Sequence, residues 1–212
     1  MKNPLVIAIA ALACTLCGIS TSPAQTASFT FADSNGAPGT GTYGQGQSFN
    51  LSVTLNFAPG GSISNLEGLS YWLQQNSGGP FAFAIASRDM TGSLFTVAQS
   101  PGITYPQSMA PSNASDLGAT LVGSTGVGAG SYFIANIIVT ISQTATNGTY
   151  SIGSTFAGPK TSVIADDQGR TFAITPGTYQ VVIAPDTGST ILLLGVSSLG
   201  LMVLARRQRV RA

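Results

Sequence analysis

The sequence predicts an all-β protein, a β-sandwich of the jelly-roll kind, with an apolar helix at each end of the chain. Three observations carry that reading. Apolar and polar residues alternate from Phe49 to Phe57, the period of a half-buried strand. Turn-forming clusters recur at Pro59-Gly60-Gly61, Gly78-Gly79-Pro80, Asn147-Gly148 and Asp167-Gln168-Gly169. No segment between the ends sustains a 3.6-residue period. Short strands with frequent turns build sandwiches, not helical bundles.

Composition narrows the function before any motif is read. The chain has 212 residues, 43% of them hydrophobic and 7% charged, with two cysteines and no histidine. Soluble domains average about 25% charge. A nucleic-acid partner is excluded, because no basic face exists to neutralise phosphates. Histidine-dependent catalysis is excluded too, since no imidazole is present to act as base or metal ligand. The expectation is a protein without enzymatic activity, cofactor or metal.

Residues 1–24 read as a secretory signal peptide with a helical apolar core. Lys2 supplies the positive start, Leu5 to Leu16 is an almost unbroken apolar run, and Ser22 and Ala24 are the small residues of a cleavage site. Cleavage after Ala27 is the alternative. The run is short for a bilayer span of about 20 residues. Cys14 and Cys17 lie inside the segment to be removed, so their C-x-x-C spacing carries no chemistry in the mature chain. The exported domain must then be held by its core alone, which its length permits.

That domain is expected over residues 28–183. From 28 to 185 there are 38 serines and threonines against three basic and six acidic residues, so hydroxyls and amides must solvate the surface. Few helix formers and many β-branched residues favour strands. Phe49 to Phe57 places five apolar side chains on one face and four polar ones on the other. Burial of each apolar side chain is worth ~1.5–3 kcal/mol, and a one-residue slip would expose all five. Further strands are expected at 68–75, 81–87, 93–98, 117–122, 131–142, 149–157, 162–165, 170–175 and 178–184. The segment 99–116, with Pro101, Pro106 and Pro111, reads as a long loop, a length uncommon unless functional or mobile.

Several clusters invite chemistry, and each has a plainer reading. Asp166-Asp167 with Gly169 suggests a Ca²⁺ loop, but Asp-rich turns ending in glycine are common in hairpins, and the turn is preferred. Asp33-Ser34-Asn35-Gly36 is a weaker case of the same kind. No two of the six acids stand out as a glycosidase pair. There is no G-x-S-x-G elbow, and Lys160 has no motif that would make it a serine's base. Gly126 to Gly130 lacks a Walker lysine and a following helix, so it is a flexible loop. Trp72, the only tryptophan, alternates with Leu69, Tyr71 and Leu73. That register turns it outward or into a groove, where its indole would be a ligand platform for a sugar ring. Coverage on both sides of the strand is the competing reading.

The C-terminus has three parts. Ala184-Pro185-Asp186-Thr187-Gly188-Ser189 is kept extended or turned by its proline and glycine. An apolar helix follows over 190–205, in which Ile191 to Ala205 is apolar apart from Ser197 and Ser198, and then come Arg206, Arg207, Arg209 and Arg211. Arginines after an apolar helix hold that end in the cytoplasm. Sixteen helical residues span only ~24 Å, short for a lasting anchor.

This arrangement resembles the PEP-CTERM sorting signals of bacteria, most closely the VPDSG type, with Ala184 in place of valine and Thr187 in place of serine. The resemblance covers residues 184–212. It implies that an exosortase-type membrane protease recognises Pro185, Asp186, Thr187 and Gly188 and removes the helix and the basic tail, 206–212. A plain C-terminal membrane anchor is the alternative. The middle of the chain is similar to cohesin-like domains, sandwiches of about nine strands. Gly46-Gln47-Ser48-Phe49-Asn50-Leu51-Ser52-Val53 resembles their first long strand. Ala165 to Arg170 followed by Gly177-Thr178-Tyr179-Gln180-Val181 resembles their last hairpin. That resemblance implies a binding or display module.

The expected protein is therefore an exported, non-catalytic display or binding module of the bacterial cell surface or extracellular matrix. Its expected partners are the exosortase-type protease, the membrane through its C-terminal helix, and an exopolysaccharide or another surface protein. A carbohydrate-binding module acting on secreted polysaccharide is the alternative; a hydrolase is the least supported.

Overall fold

A computed structural model describes residues 27–33, 39–98, 103–154 and 160–185. The described residues form fourteen strands and no helix. They are β1 (Ala27–Asp33), β2 (Thr40–Tyr43), β3 (Ser48–Phe57), β4 (Ile63–Ser70), β5 (Gln74–Ser77), β6 (Phe83–Asp89), β7 (Val97–Ala98), β8 (Gln107–Ser108), β9 (Ala119–Val127), β10 (Gly130–Ile141), β11 (Gly148–Gly153), β12 (Val163–Asp166), β13 (Thr171–Thr175) and β14 (Thr178–Ile183). Ten strands pair in the order β7-β9-β4-β12-β13-β1-β3-β10-β6-β8, and four pair as β2-β14-β11-β5. The all-β expectation holds. The expected terminal helices lie outside the described residues.

Strand β3 is the spine. Its alternation buries Phe49, Leu51, Val53, Leu55 and Phe57, each no more than 6% exposed. Antiparallel neighbours continue the same face: Phe31 and Ala135 lie opposite Val53, and Phe29 lies opposite Leu55. A bulge between Phe133 and Ala135 shifts the β10 register, and both Ile134 and Ala135 are buried. Bulges admit one extra residue at the cost of a local bend. The smaller sheet packs on this face through aromatic pairs, Phe83 against Tyr150 at 5.3 Å and Phe49 against Tyr179 at 6.0 Å. Two pairings are parallel, β1 with β13 and β14 with β2.

Strands β1 and β2 precede the first strand expected, and the strand expected at 93–98 is only Val97–Ala98, β7; the structure corrects the expected organisation in four further places. Fourteen strands replace about nine, because several are two to four residues long and carry no readable alternation. The expected strand at 68–75 is two strands. Strand β4 ends at Ser70 in the larger sheet, and β5 begins at Gln74 in the smaller one. Leu69, Tyr71 and Leu73 stay buried through the crossing, so the alternation runs on while the hydrogen-bonding partners change. It breaks at Gln74 and Gln75, both buried. Gln75 donates from Nε2 to the carbonyls of Gly79 and Pro80 at 3.2 and 3.1 Å, and its Oε1 accepts from the Ala82 amide at 2.8 Å. A buried amide that satisfies a loop's backbone in this way is stabilising where an unpaired one is costly.

The third correction concerns the loop expected at 99–116. Its described part contains β8 and a fully buried Met109. Lys160 pins it by donating from Nζ to the carbonyls of Pro111 and Ala114 at 2.8 and 3.0 Å. Fourth, Gly126 and Val127 finish β9 and Gly130 opens β10, so most of the glycine-rich stretch is strand rather than free loop, and it links two strands that pair with different neighbours, β9 with β4 and β10 with β3. The expected strand at 149–157 runs to Gly153 as β11; residues 155–159 lie outside the described residues.

Candidate binding surfaces

Each buried or partly buried acid is committed to the fold. Asp166 is 1% exposed. Its Oδ1 accepts from the Gln168 and Arg170 amides at 3.1 and 2.8 Å, and its Oδ2 accepts from Arg170 Nε at 2.6 Å. Gly169 closes the turn with φ of 73°, a conformation glycine adopts without strain. This is a hairpin turn whose carboxylate is filled by the chain's own donors. Asp116 Oδ1 likewise accepts from the Tyr71 and Gly118 amides at 3.0 and 2.8 Å. Among the described residues, no group of three or more histidine, cysteine, aspartate or glutamate side chains could hold a metal ion.

Asp33 closes one end of β1 on the core side, where it is buried. Tyr43 donates from its hydroxyl to Asp33 Oδ2 at 3.0 Å, and the Tyr179 hydroxyl lies 3.0 Å from that of Tyr43. Tyr43 stacks on Phe49 at 4.3 Å. Burial pushes the Tyr43 phenol far above its ordinary value, and the neighbouring Tyr179 and Asp33 push it further. These groups stay neutral phenols beside an acid and tie β1, β2 and β14 together.

Of the site residues expected from the sequence, Trp72 and Pro185 are among the described residues. Trp72 sits in the crossing between β4 and β5 and is half-buried, between the buried Tyr71 and Leu73. Pro185 is exposed directly after β14, whose last backbone bond runs from the Ala184 amide to the Tyr43 carbonyl at 3.0 Å. Asp186, Thr187, Gly188 and the apolar and basic segments beyond lie outside the described residues. So does 1–26. Among the described residues no helix is long and apolar enough to cross a membrane.

Two exposed apolar features were not legible as sites. At one end of the ten-strand order, Val97 on β7 and Val122 on β9 are 44% and 84% exposed. At the other end, β6, β8 and the end of β10 enclose an open cleft of about 310 Å³. Phe81, 57% exposed, forms one wall, with Pro106, Ser108, Thr140 and Ser142 around it. The hydroxyls are held by local bonds. Thr140 Oγ1 donates to the Ala84 carbonyl at 3.2 Å, Ser108 Oγ accepts from the Ala110 amide at 3.2 Å, and Ser142 Oγ accepts from the Thr144 amide at 3.1 Å. No charged side chain lines the cleft.

Neither a family model nor a curated protein matches the chain. Solved structures do. The cohesin module of a family 33 glycoside hydrolase from Clostridium perfringens superposes with a TM-score of 0.50 at 12% identity, over 76% of this chain and 99% of that one. The third ScaB cohesin of R. flavefaciens, solved with a group 1 dockerin, gives 0.49 at 14% identity, over 76% and 96%. The fold is a cohesin-like β-sandwich.

Proposed function

We propose that this chain is an exported, non-catalytic binding and display module of the bacterial cell surface or matrix, released to its destination by an exosortase-type protease. The cohesin-like sandwich is the observation that carries the module reading. It fits a non-catalytic role because Asp33, Asp116 and Asp166 are each engaged by the fold's own donors. The signal-peptide pattern supports export, and the motif, helix and arginines of 184–212 support sorting. Val97 and Val122, exposed on neighbouring strands, offer an apolar strip suited to another surface protein.

The test is antibody labelling of intact cells of the native host, with cell fractions alongside. The sandwich should be reached without permeabilisation. Confinement to the cytoplasmic fraction would overturn the proposal.

A further inference from the structure

We propose that the cleft beside Phe81 is a binding site for one neutral sugar ring of a polysaccharide, with the phenyl face as its stacking platform. The proposal rests on the binding-module reading and adds a ligand class to it.

Four observations point to this chemistry. First, a phenylalanine that is 57% exposed forfeits burial that the rest of the core secures, and an exposed aromatic ring of this kind can stack on an apolar ring surface. Second, the cleft carries hydroxyls and no charge. A charged ligand would lose water there with no opposite charge to meet it. A sugar hydroxyl has partners in Ser108, Thr140 and Ser142, each of which uses only part of its donor and acceptor capacity in its local bonds. Third, about 310 Å³ is at the small end of ligand sites. That volume suits one ring, with the remainder of the polymer lying across the surface. Fourth, β8 is a poor edge for an added peptide strand. It is two residues long and follows Pro106, which has no N–H to donate.

The surface next to the cleft continues the same character. Strand β10 carries Thr140, Ile138 and Asn136 outward at alternate positions, with Ile138 42% exposed and all three unburied. A linear glycan seated on Phe81 has an uncharged path along this strand.

The experiment is native affinity electrophoresis of the full chain in mild detergent. The gels contain hydroxyethylcellulose, amylose, dextran, xylan or galactomannan, with alginate as the charged comparison. At least one neutral polymer should retard the protein, and alginate should not. Phe81→Ala should weaken the retardation about threefold to tenfold, while Phe81→Tyr should retain it. Phe81→Ala should melt as wild type does, because the side chain is not part of the core. Retardation by no neutral polymer, by alginate alone, or equally in Phe81→Ala would overturn the proposal. Surface labelling in the host does not depend on Phe81, so failure here leaves the display reading standing.

Discussion

Arg170 Nε lies 2.6 Å from Asp166 Oδ2, and this pair closes the turn of the β12–β13 hairpin. The arginine side chain is largely exposed while the carboxylate is fully covered. Burial pushes the Asp166 carboxyl up, but hydrogen bonds from the Arg170 side chain and from the Arg170 and Gln168 amides outweigh it. The result is a value below the ordinary one. A carboxylate favoured in the folded state stabilises that state above the ordinary aspartate range, and the contribution drains away as pH falls through the folded value. Asp166→Asn should therefore lower the melting temperature at pH 7 and flatten its decline below about pH 4. Calorimetry across pH 2–7 on both forms checks this. Added Ca²⁺ should leave both melting curves in place.

The Tyr43–Tyr179 contact sets a steric condition on Gly41. A methyl group there would collide with both phenolic oxygens. Those oxygens end rigid rings held by stacking and by Asp33, so they cannot yield. Gly41→Ala should cost about 1–3 kcal/mol, measured by urea denaturation. Tyr43→Phe should cost about 1–2 kcal/mol by a different route, leaving the Asp33 carboxylate short of a donor. The double variant should fall short of the sum, since removing the Tyr43 hydroxyl relieves part of the clash.

Val53 tests the spine. It is fully buried between Phe31 and Ala135, and Val53→Asp would force an unpaired charge into that layer. The expected loss is about 4 kcal/mol or more, enough to prevent recovery of folded protein on secretion. Ser52→Asp, one residue away on the outward face, should be tolerated. Equal behaviour of the two would mean the register is wrong.

The same contrast explains what the sequence made legible. In β3 the pattern, the partners and the burial agree, so alternation alone located it. Strand β1 has comparable alternation, with Ala27, Phe29 and Phe31 buried, but it is short, abuts the cleavage region and lies before the first strand expected, at Phe49. The crossing at Tyr71–Leu73 was invisible because alternation reports which face is buried and not which strand lies alongside. The parallel pairs β1–β13 and β2–β14 join residues far apart in sequence, which no local pattern encodes. Phe81 was missed for a related reason. Period 2 groups it with Phe83 and Ile85, yet β6 begins only at Phe83, and Gly78-Gly79-Pro80 leave Phe81 outside the sheet. The glycine–proline cluster was the available signal.

Trp72 gives a spectroscopic check on that crossing. It is half-buried while Tyr71 and Leu73 are buried. As the only tryptophan it reports without interference. Iodide should quench its emission partially, to an extent between that of the native core and that of the urea-unfolded chain. Quenching equal to the unfolded chain would mean that the crossing is not packed as described. Trp72→Phe should leave glycan retardation unchanged if Phe81 is the platform.

The ends of the sandwich make the strongest prediction about processing. Ala27 begins β1, buried and paired with Phe57 and Ile174. Cleavage after Ala24 would leave β1 whole, whereas cleavage after Ala27 would remove its first core residue. At the other end, β14 stops at Ile183, the Ala184 amide makes the last backbone bond, and Pro185 is exposed. Proline lacks the N–H needed to extend the ladder. A protease cutting within or just after Pro185 to Gly188 would therefore release the sandwich with β14 whole. Pro185→Ala combined with Asp186→Ala should leave membrane insertion intact, because the apolar run and the arginines are unchanged, but should trap the unprocessed form. Mass spectrometry of the protein from the native host should find a mature start at Gln25 and an end within 185–189. Arg211 and Ala212 on the bulk of the surface protein would mean that the tail serves only as an anchor.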